Sequence, residues 1–189
     1  MNIENFVNET ETAYMALENT HYGAAAIEEM LSGGPKKIFF AGIGGISMCS
    51  LARVSQLRGH TVSGYDRAQS DITCQLTECG ITVYYEGDCS HVDGCDMLVY
   101  TVAIPPDNPE YTAAKAAGIP CISRADYLGY LMSGYGCRIG VSGMHGKSTT
   151  TSMLEKLFSD AGRDPTVSCG ARMVSQNSAH RIGGEEYFI

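Results

Sequence analysis

No stretch of this 189-residue chain is apolar for anything near the length of a membrane span. The N-terminus lacks the basic region and apolar core of a secretory leader, so a cytoplasmic location is the expectation. A stripe of Lys and Arg is missing as well. The first 34 positions hold six acids (Glu4, Glu9, Glu11, Glu18, Glu28, Glu29) and no Lys or Arg, and the remainder carries 15 acids against 13 bases. With a formal charge of −8 and no basic face, release of counterions from a nucleic-acid backbone has nothing to drive it. The eight cysteines form no CxxC pair and no Cys/His cluster. Several stand in apolar surroundings, as in Pro120-Cys121-Ile122, and read as small buried hydrophobes in a reducing compartment.

What remains is the composition of a folded protein, 44% hydrophobic and 18% charged, long enough for one core or for one core and part of another. Glycine is abundant at 22 residues, and much of it falls in two clusters, Gly42-Gly44-Gly45 and Gly140-Gly143-Gly146. Each cluster follows a short apolar run.

Residues 8–31 predict a peripheral amphipathic helix or pair of helices, stopped by Gly33-Gly34-Pro35. From Lys36 the pattern alternates. Apolar strands are expected at 37–41, 60–66, 82–85, 97–101 and 119–122, with helices at 46–57, 72–79, 109–117 and 125–132 between and after them. Pro109 suits a first helical turn, where a missing amide hydrogen costs nothing. Short strands alternating with helices are what a parallel sheet covered on both faces requires. Residues 133–136 read as a flexible joint, after which 138–142 opens a second strand, loop and helix unit with its helix at 149–161. The final Tyr187-Phe188-Ile189 has the look of a strand entered and then cut.

Gly42-Ile43-Gly44-Gly45-Ile46-Ser47 lies between a strand and a helix, the context in which a glycine loop can approach a diphosphate and turn it toward unpaired amides. Ser47 stands where the dinucleotide fingerprint has its third glycine, which weakens a nicotinamide reading. Asp66, 22 residues after Gly44 at the end of the next strand, is placed to accept from ribose hydroxyls. A tight turn without a ligand, and a simple strand-end cap for Asp66, are the alternatives. The second loop, Gly143-Met144-His145-Gly146-Lys147-Ser148, precedes Thr149-Thr150-Thr151. Backbone amides with one lysine surround triphosphate oxygens, and the adjacent hydroxyl can ligate Mg²⁺. Two residues separate Gly143 from the Gly-Lys pair where the common P-loop has four, so the general signature is not met. A chance Gly-Lys-Ser and a loop histidine without chemical duty at His145 stay open.

Several separated stretches, taken in order, resemble the Mur ligase family: residues 40–48, Val62-Ser63-Gly64-Tyr65-Asp66, Val102-Ala103-Ile104-Pro105 with Asn108-Pro109-Glu110, Gly118-Ile119-Pro120 followed by Arg124-Ala125, and residues 143–151. The likeness runs from about Lys36 to Ile189, with Asp164-Pro165-Thr166 also fitting. It implies an α/β fold, with a Rossmann-like parallel sheet domain followed by the start of a P-loop-type α/β ATPase domain. Residues 1–35 would be an N-terminal helical extension, 36–134 the UDP-sugar-binding domain, and 135–189 a truncated start of the central ATP-binding domain. By the same resemblance Gly42, Ile43, Gly44, Gly45, Ile46, Ser47, Asp66 and Ala103 bind the UDP-sugar. Gly143, His145, Gly146, Lys147, Ser148 and Thr149 surround the ATP phosphates, with Lys147 catalytic and Ser148 a ligand of Mg²⁺. The family usually has threonine where Met144 and Ser148 stand; the second change keeps the hydroxyl.

The reaction so implied is phosphorylation of the carboxylate of UDP-N-acetylmuramate by ATP, then attack of the L-alanine amine on the acyl phosphate. An acidic Mg²⁺ ligand and an amino-acid domain, which the family carries further on, fall outside this sequence, so the chain alone is expected to be inactive. A recycling ligase of the same family that joins a ready-made peptide to the same sugar shares these motifs. A nicotinamide-dependent oxidoreductase and a nucleotide-sensing scaffold are the readings from other classes.

Overall fold

In a computed structural model of the protein, which describes residues 17, 20–173, 175–176 and 178–189, strand β1 (Lys37–Ala41) is apolar and buried from Ile38 on because both of its faces are covered there. Ile38 and Phe40 enter one core and Phe39 and Ala41 another, all 0–1% exposed. The same alternation divides β4 (Met97–Tyr100), with Met97 and Val99 on the first side and Leu98 and Tyr100 on the second. Strands β2 (Thr61–Tyr65), β3 (Thr82–Tyr84) and β5 (Cys121–Ser123) complete a wholly parallel sheet of five strands in the order β3-β2-β1-β4-β5. The parallel α/β arrangement expected from the strand and helix alternation is therefore present.

The first core is closed by α1 (Ala24–Leu31), α2 (Ile46–Leu57) and α5 (Arg124–Ser133), with Leu76 of α3 (Asp71–Glu78) at its margin. The second is closed by α4 (Pro109–Ala116) and the 3₁₀ turn Cys89–Val92. Three helix entries are capped by side chains. Ser70 and Thr73 form a reciprocal capping box on α3, Asn108 accepts from the Tyr111 amide at 2.8 Å, and Ser123 accepts from the Asp126 amide at 3.1 Å. The fully buried Glu110 is held by Asn108 Nδ2 at 2.8 Å, by the Asp88 amide at 3.2 Å and by His91 at 3.0 Å. A buried carboxylate is tolerated only when its lone pairs are occupied in this way.

Beyond α5 the chain forms a smaller unit. Strand β6 (Cys137–Arg138) pairs in parallel with β9 (Tyr187–Phe188), and β7 (Val167–Met173) pairs antiparallel with β8 (Ser178–Arg181). Helix α6 (Lys147–Asp160) packs on β7 through Leu154 and Phe158, which meet Val167, Cys169, Met173 and Ile189. Its buried Glu155 accepts from Ser159, Ser175 and Gln176 at 3.0, 2.7 and 2.9 Å.

Several expectations change. Of the helical stretch foreseen over 8–31, the structure has α1 at 24–31; residues 1–16 and 18–19 lie outside the described residues. The strand expected at 138–142 is confined to Cys137–Arg138, since β9 pairs over only two positions. The second helix starts at Lys147, two residues earlier than expected, so the lysine belongs to its first turn. The joint at 133–136 is anchored by Tyr135, 6% exposed, whose ring meets Phe188 at 5.0 Å and carries Arg58 at 5.7 Å. All eight cysteines are free, but only Cys49, Cys121 and Cys169 are buried. Among the described residues no helix is long and apolar enough to cross a membrane.

Two tests follow from this packing. A Cβ added at Gly64 would lie 2.4 Å from the Phe40 carbonyl oxygen and 2.8 Å from Ile43 Cδ1, so Gly64→Ala must push β1 and β2 apart. It is expected to lower the unfolding free energy by about 1–3 kcal/mol, measured from urea midpoints; an unchanged midpoint would contradict this register. The second test uses pH. Burial, then Arg53, depresses the imidazole of His180, and burial, then Arg58, depresses that of His60, whose Nδ1 accepts from the Lys36 amide at 3.2 Å. The unfolded chain then takes up protons first as pH falls below the ordinary value of 6.5. The stability these neutral rings contribute is therefore full above 6.5 and declines as pH falls from there toward the depressed folded values. His60→Gln with His180→Gln should flatten that decline in denaturation midpoints read between about pH 7.5 and 5.

Candidate functional site

Strands β2 and β3 lie on one side of β1, and β4 and β5 on the other, so the loops leaving β1 and β4 diverge. A crevice at the carboxyl ends of the strands is the consequence. It measures about 830 Å³ and is lined by the loop after β1, by Tyr65 to Arg67 after β2, by Thr101 and Ala103 to Pro105 after β4, and by Arg124 at the start of α5. That is the size of a cleft that takes a compact organic ligand.

Gly42 has φ +83°, and a Cβ there would meet Thr101 Cγ2 at 2.6 Å. The amides of Gly42 and Ile43 both donate to the Tyr65 carbonyl, at 2.8 and 3.0 Å. The Gly44 amide donates to Asp66 Oδ2 at 2.8 Å, and the Gly45 amide to the Gly42 carbonyl at 3.1 Å. The first bond of α2 runs from the Cys49 amide to the Gly45 carbonyl at 2.9 Å, which leaves the amides of Ile46, Ser47 and Met48 open at the helix start. Ser47 Oγ accepts from Arg124 Nη1 at 3.1 Å. A guanidinium, a hydroxyl and the positive end of a helix thus share one wall of the cleft, an arrangement that favours an anion.

Of the residues expected to hold the sugar nucleotide, Gly42, Gly44, Gly45, Ile46, Ser47, Asp66 and Ala103 line this cleft. Ile43 does not. Its side chain is 0% exposed in the first core and its amide is taken by Tyr65, so its part is to seat the loop on the sheet. The amides of Gly42, Ile43, Gly44 and Gly45 are all bonded within the protein, so the unpaired amides of this loop are those at the helix start. Arg124 carries no assignment in the sequence reading. The signal for it was a serine cap followed by arginine at the carboxyl end of a strand, where the loops of a parallel sheet gather. Arg67 and Thr101 join the lining on the same ground.

The second glycine loop connects β6 to α6. Gly143 and Gly146 have φ +155° and +77°, and the first helical bond runs from the Thr150 amide to the Gly146 carbonyl at 2.8 Å. The amides of Lys147, Ser148 and Thr149 therefore stand at an open helix start. Lys147 is exposed and its ammonium donates to the Gly143 and Met144 carbonyls at 2.6 and 3.2 Å. His145 and Thr149 are exposed, and Ser148 is half-buried. This donor set suits phosphate oxygens. For a divalent cation it offers the Ser148 hydroxyl, and among the described residues no three His, Cys, Asp or Glu side chains converge to add to it. A Mg²⁺ ion held there would draw its remaining oxygens from the phosphates and water.

Thiol chemistry has no foothold beside the first cleft. Burial pushes Cys49, on α2, up to about 11, and it donates to the Ile46 carbonyl at 3.1 Å. A separate cavity of about 360 Å³ lies between α2, α3 and the β7–β8 hairpin, floored by Ile46, Cys49, Ile72, Leu76 and Ala179.

Comparison with known proteins finds relatives of this fold. The family model described as Mur ligase family, catalytic domain, matches residues 37–136. A UDP-N-acetylmuramate–L-alanine ligase of Agathobacter rectalis is 47% identical over 156 residues, covering 82% of this chain and 34% of the relative. The chain thus spans about a third of the length of that curated relative. Among solved structures, a UDP-N-acetylmuramate–alanine ligase from Thermotoga maritima superposes with a TM-score of 0.75 at 29% identity, covering 81% of this chain and 36% of that one. A UDP-N-acetylmuramate:L-alanyl-γ-D-glutamyl-meso-diaminopimelate ligase from Neisseria meningitides superposes with a TM-score of 0.74 at 28% identity, covering 82% and 51%.

Proposed function

Because the chain belongs to the Mur ligase family, we propose that it forms the UDP-N-acetylmuramate-binding part and the opening of the ATP-binding part of an ATP-dependent UDP-N-acetylmuramate–L-alanine ligase. The observation that carries this reading is the anion seat of the first cleft, where the open amides of Ile46, Ser47 and Met48 join the Ser47 hydroxyl and Arg124. A nucleoside diphosphate sugar presents its charge in the middle of the molecule. A seat of this kind at the switch point of the sheet binds that charge and leaves the nucleoside and the sugar to extend along the loops after β2 and β4.

On this reading residues 36–134 hold the UDP-sugar, 135–189 begin the ATP-binding domain, and 1–35 are an N-terminal extension. Gly143, His145, Gly146, Lys147, Ser148 and Thr149 surround the ATP phosphates. Lys147 is a mobile point charge able to follow the transferred phosphoryl group, and Ser148 contributes an oxygen to Mg²⁺. The metal, when bound, offsets charge on the phosphate oxygens. A carboxylate is a poor electrophile toward an amine, and converting it to an acyl phosphate makes the L-alanine attack feasible. On this reading the whole protein joins L-alanine to the muramoyl carboxylate, the amine named in the relatives that are 47% and 42% identical to this chain. The nicotinamide reading loses ground at Ser47, where a side chain bonded to Arg124 occupies the third-glycine position.

Titration of UDP-N-acetylmuramate into the chain should give weak, saturable binding. Arg124→Ala should weaken it by about 1.5–3 kcal/mol, roughly tenfold or more in Kd, the worth of a hydrogen bond to a charged group. Undetectable binding to the unaltered chain at millimolar ligand would sink the reading. With ATP, Mg²⁺ and L-alanine added, phosphate release dependent on alanine is expected to be absent, because placing the amine is worth about 7–11 kcal/mol and no residue of this chain is assigned to it. In the whole ligase, Lys147→Ala should abolish most turnover and leave calorimetric affinity for the UDP-sugar nearly intact. Loss of both affinities together would contradict the division between the two loops.

A further inference from the structure

The glycines of the first loop are commonly explained by the approach of a ligand. In this protein the protein itself makes the approach. At Gly44 an added Cβ would lie 2.7 Å from Asp66 Oδ2, 2.9 Å from Asp66 Cγ and 2.8 Å from Thr73 Cγ2. The carboxylate is packed against the Gly44 Cα and takes its amide hydrogen at 2.8 Å. Thr73, whose methyl crowds the same side of Gly44, is 0% exposed and locked into the capping box with Ser70. Asp66 is fixed from its own side by its amide, which donates to the Tyr84 carbonyl at 3.0 Å, while Oδ1 accepts from the Ala68 amide at 3.4 Å.

We infer that Asp66 is a positioning residue for the loop: it occupies the Gly44 amide and so directs an incoming diphosphate to Ile46, Ser47 and Met48, rather than accepting from the ribose. The inference rests on the proposed nucleotide site. Two consequences separate it from the ribose role. Once the Gly42, Ile43, Gly44 and Gly45 amides are all bonded within the protein, the loop presents carbonyls and Cα atoms, not donors, until the helix begins. The shape of that loop then depends on a carboxylate bond that exists without any ligand.

The first measurement therefore needs no ligand. Amide hydrogen exchange at Gly44 should be at least roughly tenfold faster in Asp66→Ala and stay protected in Asp66→Asn, whose side-chain oxygen can still accept. Unchanged Gly44 exchange in folded Asp66→Ala would overturn the inference. If that variant fails to fold, Gly44→Ala forces the carboxylate off the amide with Asp66 still present and should speed exchange of the amide at position 44 itself by a similar factor. No change there would count equally against it. The second measurement compares UDP with 2′,3′-dideoxy-UDP. Asp66→Ala should weaken both by the same factor, on the order of tenfold, and Asp66→Asn should restore most of it. A loss seen with UDP that disappears with the dideoxy compound would make Asp66 a ribose acceptor and refute the positioning role. Failure of the unaltered chain to bind either nucleotide would count against the proposed function, while Gly44 exchange would still decide the role of Asp66.

Discussion

From Ile38 to Ala41 strand β1 has no side that meets water, and most of the architecture follows from covering it twice. Ile38 and Phe40 demand one layer of helices, and Phe39 and Ala41 demand another. A strand buried on both faces sits best at the centre of a parallel sheet, with neighbours added on either hand. The chain adds β2 and β3 first on one side, then crosses to add β4 and β5 on the other. The crevice is opened by that change of direction, so the site arises from the same residues that build the core.

Inside the crevice, hydrogen-bond accounting decides what can bind. Buried backbone groups must find partners, and the first loop satisfies four of its amides internally through Tyr65, Asp66 and Gly42. The donors left facing the crevice are the amides at the start of α2 and the Arg124 guanidinium bonded to Ser47. The second loop is arranged differently. It is exposed over most of its length and keeps its donors at the helix start, with a flexible cation beside them. One loop is built by the body of the protein, and the other stands clear of it.

Much of this was legible in the sequence because it depends on local rules. The limits of α2 at Ile46 and Leu57 follow from apolar spacing with glycine at each end, and Pro109 marks the start of α4. Both glycine loops are visible as glycine between a strand and a helix. What could not be read depends on partners distant in the chain. The brief pairing of β6 is set by β9, about fifty residues on. The burial of Tyr135 depends on Phe188 and Arg58. Arg124 gains meaning only when β5 comes to lie beside β4 and brings it within reach of Ser47, 77 residues earlier. The double role of glycine was hidden for the same reason: the atoms that crowd Gly42 and Gly44 come from Thr101, Asp66 and Thr73.

Lys147 folds its ammonium back onto the Gly143 and Met144 carbonyls. The loop thus carries an internal competitor for its own cation. An incoming anion gains the lysine only after those two contacts are broken, and the cost is the same whatever the anion's charge. A polyphosphate, which recruits the lysine and the helix-start amides at once, clears that threshold easily. A singly charged ion gains little beyond what it displaces. For anions bound at such a loop, discrimination between the two would arise from an energetic offset rather than from the shape of a pocket, the loop being too open to exclude small ions sterically.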